Sequence, residues 1–328
     1  MTLRLGMLSA AHPHANAYAR GLAGIEDATL VGIADDDADR AHAFASTHEV
    51  NVLSSTELLA TVDAAIVCAQ NVRHRAWVEQ AAAAGVHVLC EKPLATTVTD
   101  ADAMIEACAD AGVHLGAAMP VRFVEPIRRA KAAVDAGDLG EIQAIVGTNL
   151  LRWMAADSWF TDPERSGGGA IMDHVVHVVD LVRWLTGEEV AEVYAESGTL
   201  FQELAVEDTA VLSMELTDGT PVTHDGSWRQ PDTWRTWGDV TLRLIGTEQV
   251  LEVDCFDQTL VRTTADDGMS SVYWGEDMDT ALVAAFVDAI RTDRAPAITG
   301  EDGVREVAVV AAAYASVDAG EPVPVSYP

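Results

Sequence analysis

Lysine is scarce in this chain, and the position of one lysine suggests chemistry. Two of the 328 residues are lysines, the other basic side chains are arginines, and 52 residues are acidic. Lys92 follows an apolar run, in Cys90-Glu91-Lys92-Pro93. An ammonium is a compact donor, whereas a guanidinium is a planar fork that stays charged. A chain that otherwise uses arginine is expected to keep a lysine only where arginine cannot replace it, so Lys92 is a candidate reactive residue.

Asp173 and His177 form the second group of candidate residues. They are four positions apart in a predicted helix, Ala170–Leu185, so they share one face, and Asp180 continues that stripe. An imidazole, whose ordinary pKa is about 6.5, is suited to act as a base near neutral pH. An isolated Asp–His pair at this spacing is more often structural. We expect His174 to point elsewhere on the helix, as a bystander.

The elements that must position these residues fall into two parts. Residues 1–120 alternate short apolar runs with helical patterns, which predicts an α/β fold with a doubly wound parallel sheet, a Rossmann domain. Ligands of such sheets bind at the carboxyl ends of the strands. The predicted strands are Leu3–Leu8, Ala28–Ile33, Ala64–Cys68, Val86–Cys90 and Val113–Ala117. The predicted helices are Ala15–Ala23, Asp37–His48, Val72–Ala84 and Asp100–Ala111.

The pattern of strands and turns in residues 121–328 predicts an α+β domain for substrate binding and oligomerisation, with a large, mostly antiparallel open sheet. Its helices are expected at Glu125–Ala136, Ala170–Leu185, Met278–Arg291 and Gly303–Ala319, the last of which can pack back on the first domain. Its predicted strands are Ile142–Met154, Val190–Leu200, Thr209–Leu216, Val240–Ile245 and Glu248–Cys255.

A nucleotide-binding loop is expected between the first strand and the first helix. A dinucleotide loop normally has the pattern G-x-G-x-x-G, and here Ser9, Ala11 and His14 stand at the three glycine positions. The small residues at the first two positions still permit close backbone approach, with His12 next to them. The same pattern also fits an ordinary strand–helix turn.

The end of the second strand favours the nucleotide interpretation. Asp35 is the first carboxylate after that strand and is placed to hydrogen-bond the adenosine ribose and to repel a 2′-phosphate. This predicts NAD as the cofactor, with NADP less favoured. Because neither His12 nor His14 has a carboxylate or cysteine at ligand spacing in the sequence, we predict no metal site.

Composition narrows the class of protein. The formal net charge of −32 disfavours nucleic-acid and anionic-membrane partners, while 49% apolar residues indicate a folded core. An acidic, lysine-poor surface suggests adaptation to high salt, and a halophilic source is a hypothesis. Four widely spaced cysteines predict reduced thiols in a cytoplasmic protein. We expect neither a signal peptide nor a membrane span.

Several motifs resemble the glucose–fructose oxidoreductase/inositol dehydrogenase (Gfo/Idh/MocA) family. They are Val86–Ala95 with its Glu-Lys-Pro, Asn71-Val72-Arg73-His74, Thr99–Ile105, and Ser166–Asp180 with its Gly-Gly-Gly-x-x-x-Asp-x-x-x-His. Glu-Lys-Pro alone is common, but its combination with the distant glycine run is specific. We expect the glycines to allow close backbone approach where the second domain meets the first.

The resemblance implies that Lys92, Asp173 and His177 carry the reaction. Hydride transfer from an alcohol requires a base for the hydroxyl proton, a role that suits His177, and a donor that holds the oxygen, which suits Lys92. Asp173 would bind a neighbouring hydroxyl and tune the histidine. Beyond the loop and Asp35, the resemblance implies cofactor contacts from Ala69, Asn71, His74, Glu91 and Lys92. Arg122 and Trp159 are predicted substrate-binding residues, and Trp153 is a further tryptophan placed to stack on a sugar.

The sequence therefore predicts an NAD-dependent oxidoreductase acting on a carbohydrate or cyclic polyol, in a homodimer or homotetramer. Three alternatives stay open: an inactive NAD-binding regulator of the same fold, an NAD-using redox-neutral glycosidase, and a reductase of an imine or enone. The substrate and the direction of the reaction are left undetermined.

Overall fold

The structure is a computed structural model. It describes residues 2–234, 236, 238–264, 268–275 and 277–328, with the side chains at 264, 268 and 270–273 outside that description. The chain divides into two compact units. The first contains the residues up to Pro120 together with Asp277–Val307 and Pro328, and the second contains those from Val121 together with Ala308–Tyr327. The sequence had assigned 277–307 to the second domain, so the first unit is larger than expected.

The secondary structure follows the chain in alternating elements. The helices are α1 His14–Ala23, α2 Ala38–His48, α3 Ser55–Leu59, α4 His74–Ala83, α5 Val98–Ala111, α6 Glu125–Asp135, α7 Pro163–Ser166, α8 Ala170–Thr186, α9 Met278–Arg291 and α10 Gly300–Ala319. The strands are β1 Leu3–Leu8, β2 Ala28–Ala34, β3 Asn51–Val52, β4 Ala64–Val67, β5 His87–Glu91, β6 Leu115–Ala118, β7 Ile142–Leu151, β8 Val190–Gly198, β9 Thr209–Leu216, β10 Pro221–Asp225, β11 Gly238–Gly246, β12 Val250–Asp254, β13 Thr259–Thr264, β14 Gly268–Tyr273 and β15 Val323–Pro324. Within the described part of the chain, no helix combines the length and apolarity that a bilayer crossing needs.

The first unit is the predicted doubly wound sheet. Among the described residues it has six parallel strands in the order β3-β2-β1-β4-β5-β6. The order reverses between β1 and β4, and ligands of such sheets bind beside the carboxyl ends of the strands at this switch point. The short β3 and α3 were missed, although Ser54 and Glu57 form a capping box at the start of α3.

Apolar side chains on both faces of this sheet fix its strands. All four residues of β4 are buried, as expected for a strand covered by helices on both sides. The helix α9 joins this unit by packing on α1. A Cβ on Gly21 would lie 2.9 Å from the Cα of Thr280, so the two helices approach closely only because position 21 has no side chain.

The second unit is built on a sheet ordered β12-β11-β7-β10-β9-β8-β15 in the described residues. Its pairs are antiparallel except β7 with β10, which is parallel. Burial alternates along β9, so one face of the strand is covered and the other is exposed. The covered face packs on α8, since a Cβ on Gly147 would lie 2.8 Å from Val178. The strands β10, β13 and β14 were not predicted.

The glycine run before α8 makes room inside the second unit. A Cβ on Gly168 would lie 2.0 Å from the hydroxyl of Tyr314, and one on Gly169 would lie 2.1 Å from the carbonyl oxygen of Glu207. The side chain of Glu207 accepts hydrogen bonds from the N–H groups of Gly169 and Ile171, both at 3.0 Å. The prediction that the glycines mark the meeting of two domains is therefore wrong for these contacts, which anchor the start of α8.

Replacing Gly169 by alanine is expected to destabilise the second unit. The new Cβ would overlap a backbone carbonyl, which cannot move aside as a flexible side chain can, and such overpacking typically costs about 1–3 kcal/mol. The measurement is the unfolding midpoint, compared with Gly24→Ala. At Gly24 the nearest atom to a Cβ lies 3.5 Å away. Equal unfolding midpoints for the two variants would contradict the close approach of Gly169 to the carbonyl of Glu207.

Candidate active site

The loop after β1 has the backbone geometry of a phosphate-binding turn. Ser9 has φ +65°, in the left-handed region that usually requires the glycine it replaces. Its N–H donates to the carbonyl of Ala34 at 2.7 Å, and the N–H of His12 donates to that of Cys68 at 2.9 Å. These bonds fix the loop between the ends of β2 and β4, directly before α1. The loop leads directly into the start of α1, where the helix dipole favours an anionic group, so its position fits a dinucleotide pyrophosphate.

Asp35 lies at the end of β2, but its carboxylate is turned inward. The side chain is 0% exposed, and it accepts hydrogen bonds from the N–H of Ala10 at 2.7 Å and from Arg40 Nε at 2.9 Å. Burial would raise the pKa of Asp35, but these donors and the N–H of Asp37 outweigh it and hold the pKa low. Asp35 therefore orders the phosphate loop, and the predicted direct contact with a ribose does not follow from its position.

Asp36 is the more exposed carboxylate at this strand end. Its side chain is 47% exposed and lies 2.7 Å from Arg40, whose guanidinium also contacts Asp35 and Asp37. Partial burial and the neighbouring charge of Asp35 raise the pKa of Asp36. Three carboxylates therefore surround one guanidinium, and the local charge remains negative.

Glu91, the last residue of β5, is a fully buried carboxylate bound by residues of α1. Its Oε2 accepts a 2.7 Å hydrogen bond from the hydroxyl of Tyr18 and lies 3.2 Å from Nδ1 of His14. Burial would raise the pKa of Glu91, but the rings of His12 and His14 and the ammonium of Lys92 lower it below its usual range. The same pairing raises the pKa of His14 against the opposing effect of burial.

His12, His14 and Glu91 also have the composition of a metal site. One ligand atom of each lies within 4.8 Å of the others. The sequence argument against a metal rested on a missing carboxylate, and the fold supplies that carboxylate as Glu91. The His14–Glu91 pair gives the carboxylate a positive partner of its own, because the raised pKa of His14 favours the imidazolium. We therefore describe the cluster as a hydrogen-bonded brace between α1 and β5.

Lys92 leaves β5 with only 5% of its surface exposed. The turn that carries it is held by His74, whose Nδ1 lies 3.0 Å from the carbonyl of Pro93 and whose Nε2 lies 3.2 Å from that of Ala69. His74 is completely buried, and this burial lowers its pKa. His74 therefore fixes the turn, and its predicted contact with a cofactor stays a prediction. Ala69 and Asn71 are also buried, beside the end of β4.

In the second unit, α8 holds Asp173 and His177 in a largely buried helix. Asp173 is 7% exposed and His177 is 8% exposed. Asp173 Oδ2 accepts a hydrogen bond from Trp228 Nε1 at 3.1 Å and lies 3.2 Å from Nε2 of His174. The expectation that His174 is a bystander is wrong, because its ring contacts the candidate catalytic carboxylate.

Arg122 pairs with an acidic residue of α8. Its Nε donates to Asp180 Oδ2 at 2.8 Å and its guanidinium carbon lies 5.6 Å from the ring centre of Trp184. Both charged side chains are buried, so the pair fixes α8 against the segment before α6. The predicted contact of Arg122 with substrate stays a prediction. Trp159 is half-buried and stacks on Phe160 at 3.9 Å, and its predicted role toward a sugar stays a prediction.

Some functional neighbours could not be found in the sequence. Trp228 is 55 positions from Asp173 and Tyr18 is 73 positions from Glu91, so no local pattern joins them. His14 and Tyr18 are four positions apart on one face of α1, and this spacing was a usable signal for the brace once the helix is known to begin at His14.

Family models match both units. The model described as "Oxidoreductase family, NAD-binding Rossmann fold" matches residues 5–119, and the one described as "GFO/IDH/MocA C-terminal domain" matches residues 127–252. The chain belongs to the Gfo/Idh/MocA oxidoreductase family. The glycine-poor loop lies within the matched Rossmann domain. It is therefore a variant of the family's nucleotide loop, in which Ser9 has the left-handed conformation.

Relatives extend over most of the chain. It is 30% identical to 1,5-anhydro-D-fructose reductase of Ensifer adhaerens, over 89% of this chain and 90% of the relative. It is 29% identical to D-xylose 1-dehydrogenase (NADP(+)) 2 of Haloferax volcanii, over 79% of both. The crystal structure of GenD2 from gentamicin A biosynthesis, in complex with NAD, has a TM-score of 0.90 at 25% identity, over 99% of this chain and 97% of that one.

Asp279, in the first turn of α9, is an acidic neighbour of the brace. Burial raises its pKa to about 6, and the charges of Asp277 and Glu91 add to this, while His14 opposes it. The folded-state pKa is higher than the ordinary value, so ionising Asp279 costs free energy in the folded protein. Its contribution to stability is therefore most favourable at low pH and is lost as the pH rises through about 6.

Asp279→Asn is consequently expected to stabilise the protein more at pH 8 than at pH 5, because the cost of ionising Asp279 grows from its ordinary pKa of 3.8 up to about 6. The gain should be about 1–2 kcal/mol, below the full value of the shift because the side chain is partly exposed. Thermal midpoints at both pH values measure it, with Asp110→Asn on the exposed face of α5 as the control. An equal gain at both pH values would show that the effect is not electrostatic.

Proposed function

We propose that this enzyme transfers a hydride between NAD and a secondary alcohol of a sugar or cyclic polyol. The observation that carries the proposal is the placement of chemically competent side chains on two rigid elements. A buried ammonium leaves β5 in the first unit, and a buried Asp–His pair lies on α8 in the second. The reductase and xylose dehydrogenase relatives support a carbohydrate substrate.

NAD supplies the hydride acceptor or donor, and the chain's own residues handle the alcohol. The proposed role of Lys92 is to donate a hydrogen bond to the alcohol oxygen and to stabilise its developing negative charge. His177 would remove the hydroxyl proton, and Asp173 would bind a neighbouring hydroxyl. Ser9, Ala11 and His12 are the loop residues proposed to hold the pyrophosphate.

Substitution of Lys92 or His177 tests this assignment. Lys92→Met and His177→Ala are each expected to lower kcat/KM by about 10²–10⁴, the usual contribution of a proton-transfer or oxyanion-binding group. The matched controls are Lys131→Met and His42→Ala, which remove an ammonium paired with Asp135 and an exposed imidazole.

The assay is a screen of sugars and cyclitols with NAD and NADP, followed by the near-ultraviolet absorbance of reduced cofactor. Accumulation of reduced cofactor would also exclude a redox-neutral glycosidase. Full activity of both site variants on the best substrate would refute the assignment. The screen is run with and without molar salt, because the net charge of −32 leads us to propose higher activity when self-repulsion is screened.

A preference for NAD is part of the proposal. Asp35, Asp36 and Asp37 surround Arg40, so the guanidinium is already neutralised where a 2′-phosphate would lie. One relative carries NADP in its name, so the family relationship alone leaves the preference open.

Asp36→Asn is expected to raise kcat/KM with NADP relative to NAD by about tenfold, because it removes the exposed negative charge and releases Arg40 for the phosphate. The control is Asp39→Asn, which removes an exposed carboxylate in the first turn of α2 and should leave the ratio of kcat/KM values unchanged. A wild-type preference for NADP would refute the proposed selectivity.

We further propose that the enzyme is a homodimer or homotetramer. Exposed apolar side chains lie on the outward-facing positions of the second sheet, among them Val146 and Val211, at 44% and 48% exposure. Their exposure supports the prediction of a sheet face used for association.

A further inference from the structure

His14 stands at the third glycine position of the nucleotide loop, and one edge of its ring is bound to buried groups. It is the first residue of α1, and its Nδ1 lies 3.2 Å from Oε2 of Glu91 and 3.4 Å from the hydroxyl oxygen of Tyr18. That hydroxyl donates its own proton to Glu91 at 2.7 Å, and burial raises the pKa of Tyr18 well above its ordinary value. Both neighbours of Nδ1 therefore accept, so Nδ1 carries a proton.

The other ring nitrogen of His14, Nε2, lies on the opposite edge of the imidazole. Within the part of the chain that the structure describes, it is neither hydrogen-bonded nor buried. The side chain as a whole is 23% exposed, whereas Glu91 and Tyr18 are completely buried. The exposed edge of the ring is therefore the one that carries Nε2, and this atom is available to a ligand.

The contact between His14 and Glu91 spans the end of β4. Helix α1 follows β1, Glu91 is the last residue of β5, and β4 pairs with both β1 and β5. Ligands of doubly wound sheets bind beside the carboxyl ends of the strands, at the switch point between β1 and β4. His14 therefore lies at the crevice where the family's dinucleotide is expected.

Without a cation, two carboxylates would make this crevice negative. Glu91 is completely buried, and its Oε1 has no hydrogen-bond partner among the described residues. Asp279, in the first turn of α9, acts electrostatically on both His14 and Glu91, and its Oδ1 is likewise buried without a partner in the described structure. Like charges repel more strongly where the groups are buried. An anionic pyrophosphate therefore requires a positive group beside these carboxylates.

We propose that His14 is a cofactor-binding residue, whose imidazolium donates from Nε2 to the pyrophosphate of NAD while Nδ1 stays bound to Glu91. This role rests on the proposed function, in which NAD is the cofactor. The glycine that normally occupies the third position allows close packing of helix and strand and has no charge. In this chain the residue at that position supplies a donor and a positive charge instead.

The groups that face His14 favour the charged ring. Burial would lower the pKa of His14, but Glu91 and then Asp279 outweigh this effect and raise the pKa, while the ammonium of Lys92 opposes them. The ring centre of His12 lies 4.4 Å from that of His14. Because the pKa of His14 is above its ordinary value, the charge is present at pH 6 and is lost as the pH rises through the raised value. The contribution of His14 to NAD binding follows the same direction.

The test is the affinity for nucleotides, measured by titration calorimetry without any substrate at pH 6 and pH 9. The probes are NAD and ADP-ribose, which contain the pyrophosphate, and adenosine, which has no phosphate. At pH 6, His14→Gln is expected to weaken NAD and ADP-ribose binding about tenfold, the effect of losing one charge-assisted hydrogen bond, and to leave adenosine binding unchanged. The difference between the wild type and the variant should shrink at pH 9, where the ring of the wild type loses its charge.

Two further variants separate charge from structure. His42→Gln removes an exposed imidazole of α2 and should leave all three affinities unchanged. His14→Lys keeps a positive charge at both pH values, so its affinity for NAD should depend less on pH than that of the wild type. If the unfolding midpoint shows that His14→Gln does not fold, His14→Asn replaces it. An equal loss at pH 6 and pH 9, or a loss that extends to adenosine, would show a structural role only and would overturn the proposal.

Failure of this proposal is distinguishable from failure of the proposed function. Binding of NAD that depends on His14 and on pH, with no reduced cofactor formed in the substrate screen, would refute the dehydrogenase assignment and support the role of His14. Normal dehydrogenase activity together with equal NAD affinities of the wild type and His14→Gln at pH 6 would refute the role of His14 and leave the function intact.

Discussion

Carboxylates that leave water must find donors, and this requirement positions most of the functional residues. The fully buried Glu91 of β5 is bound by Tyr18 and His14 of α1, and the half-buried Glu207 is bound by N–H groups at the start of α8. An unpaired buried charge would cost several kcal/mol. The same contacts that remove this cost therefore connect strand ends to helix starts, where the candidate residues lie.

The acidic composition determines which donors are used. With 52 acidic residues and two lysines, the chain has few ammonium groups, and histidine, arginine, tryptophan and backbone N–H groups also bind the carboxylates described above. His14 and His174 are the clearest cases, because each ring contacts a buried carboxylate. In the first unit the contact with Glu91 raises the pKa of His14, and this links the geometry of that unit to pH.

Periodicity in the sequence was sufficient for the fold of the first unit, since strands buried on both faces and amphipathic helices have strong local patterns. Periodicity did not predict the orientation of side chains that is set by contacts between residues far apart in the sequence. Asp35 and Asp36 are neighbouring aspartates in the sequence. In the structure, the carboxylate of Asp35 is buried against Arg40, whereas that of Asp36 is more exposed. His174 looks like a bystander until Gly226, 52 positions away, fixes its ring. The strand β10 is short and begins with proline, so its sequence has no clear alternation of apolar and polar residues that would predict a strand.

Lysine scarcity alone does not identify a reactive residue, because it applies equally to Lys131. That ammonium lies on α6, near Asp135 and 5.9 Å from the ring centre of Trp184, contacts that a guanidinium makes equally well. Lys92 differs in its surroundings. It is buried beside Glu91, on a turn that a fully buried His74 holds from three carbonyl groups. A larger planar cation would have to displace that packing, so the argument for Lys92 rests on the rigidity around it.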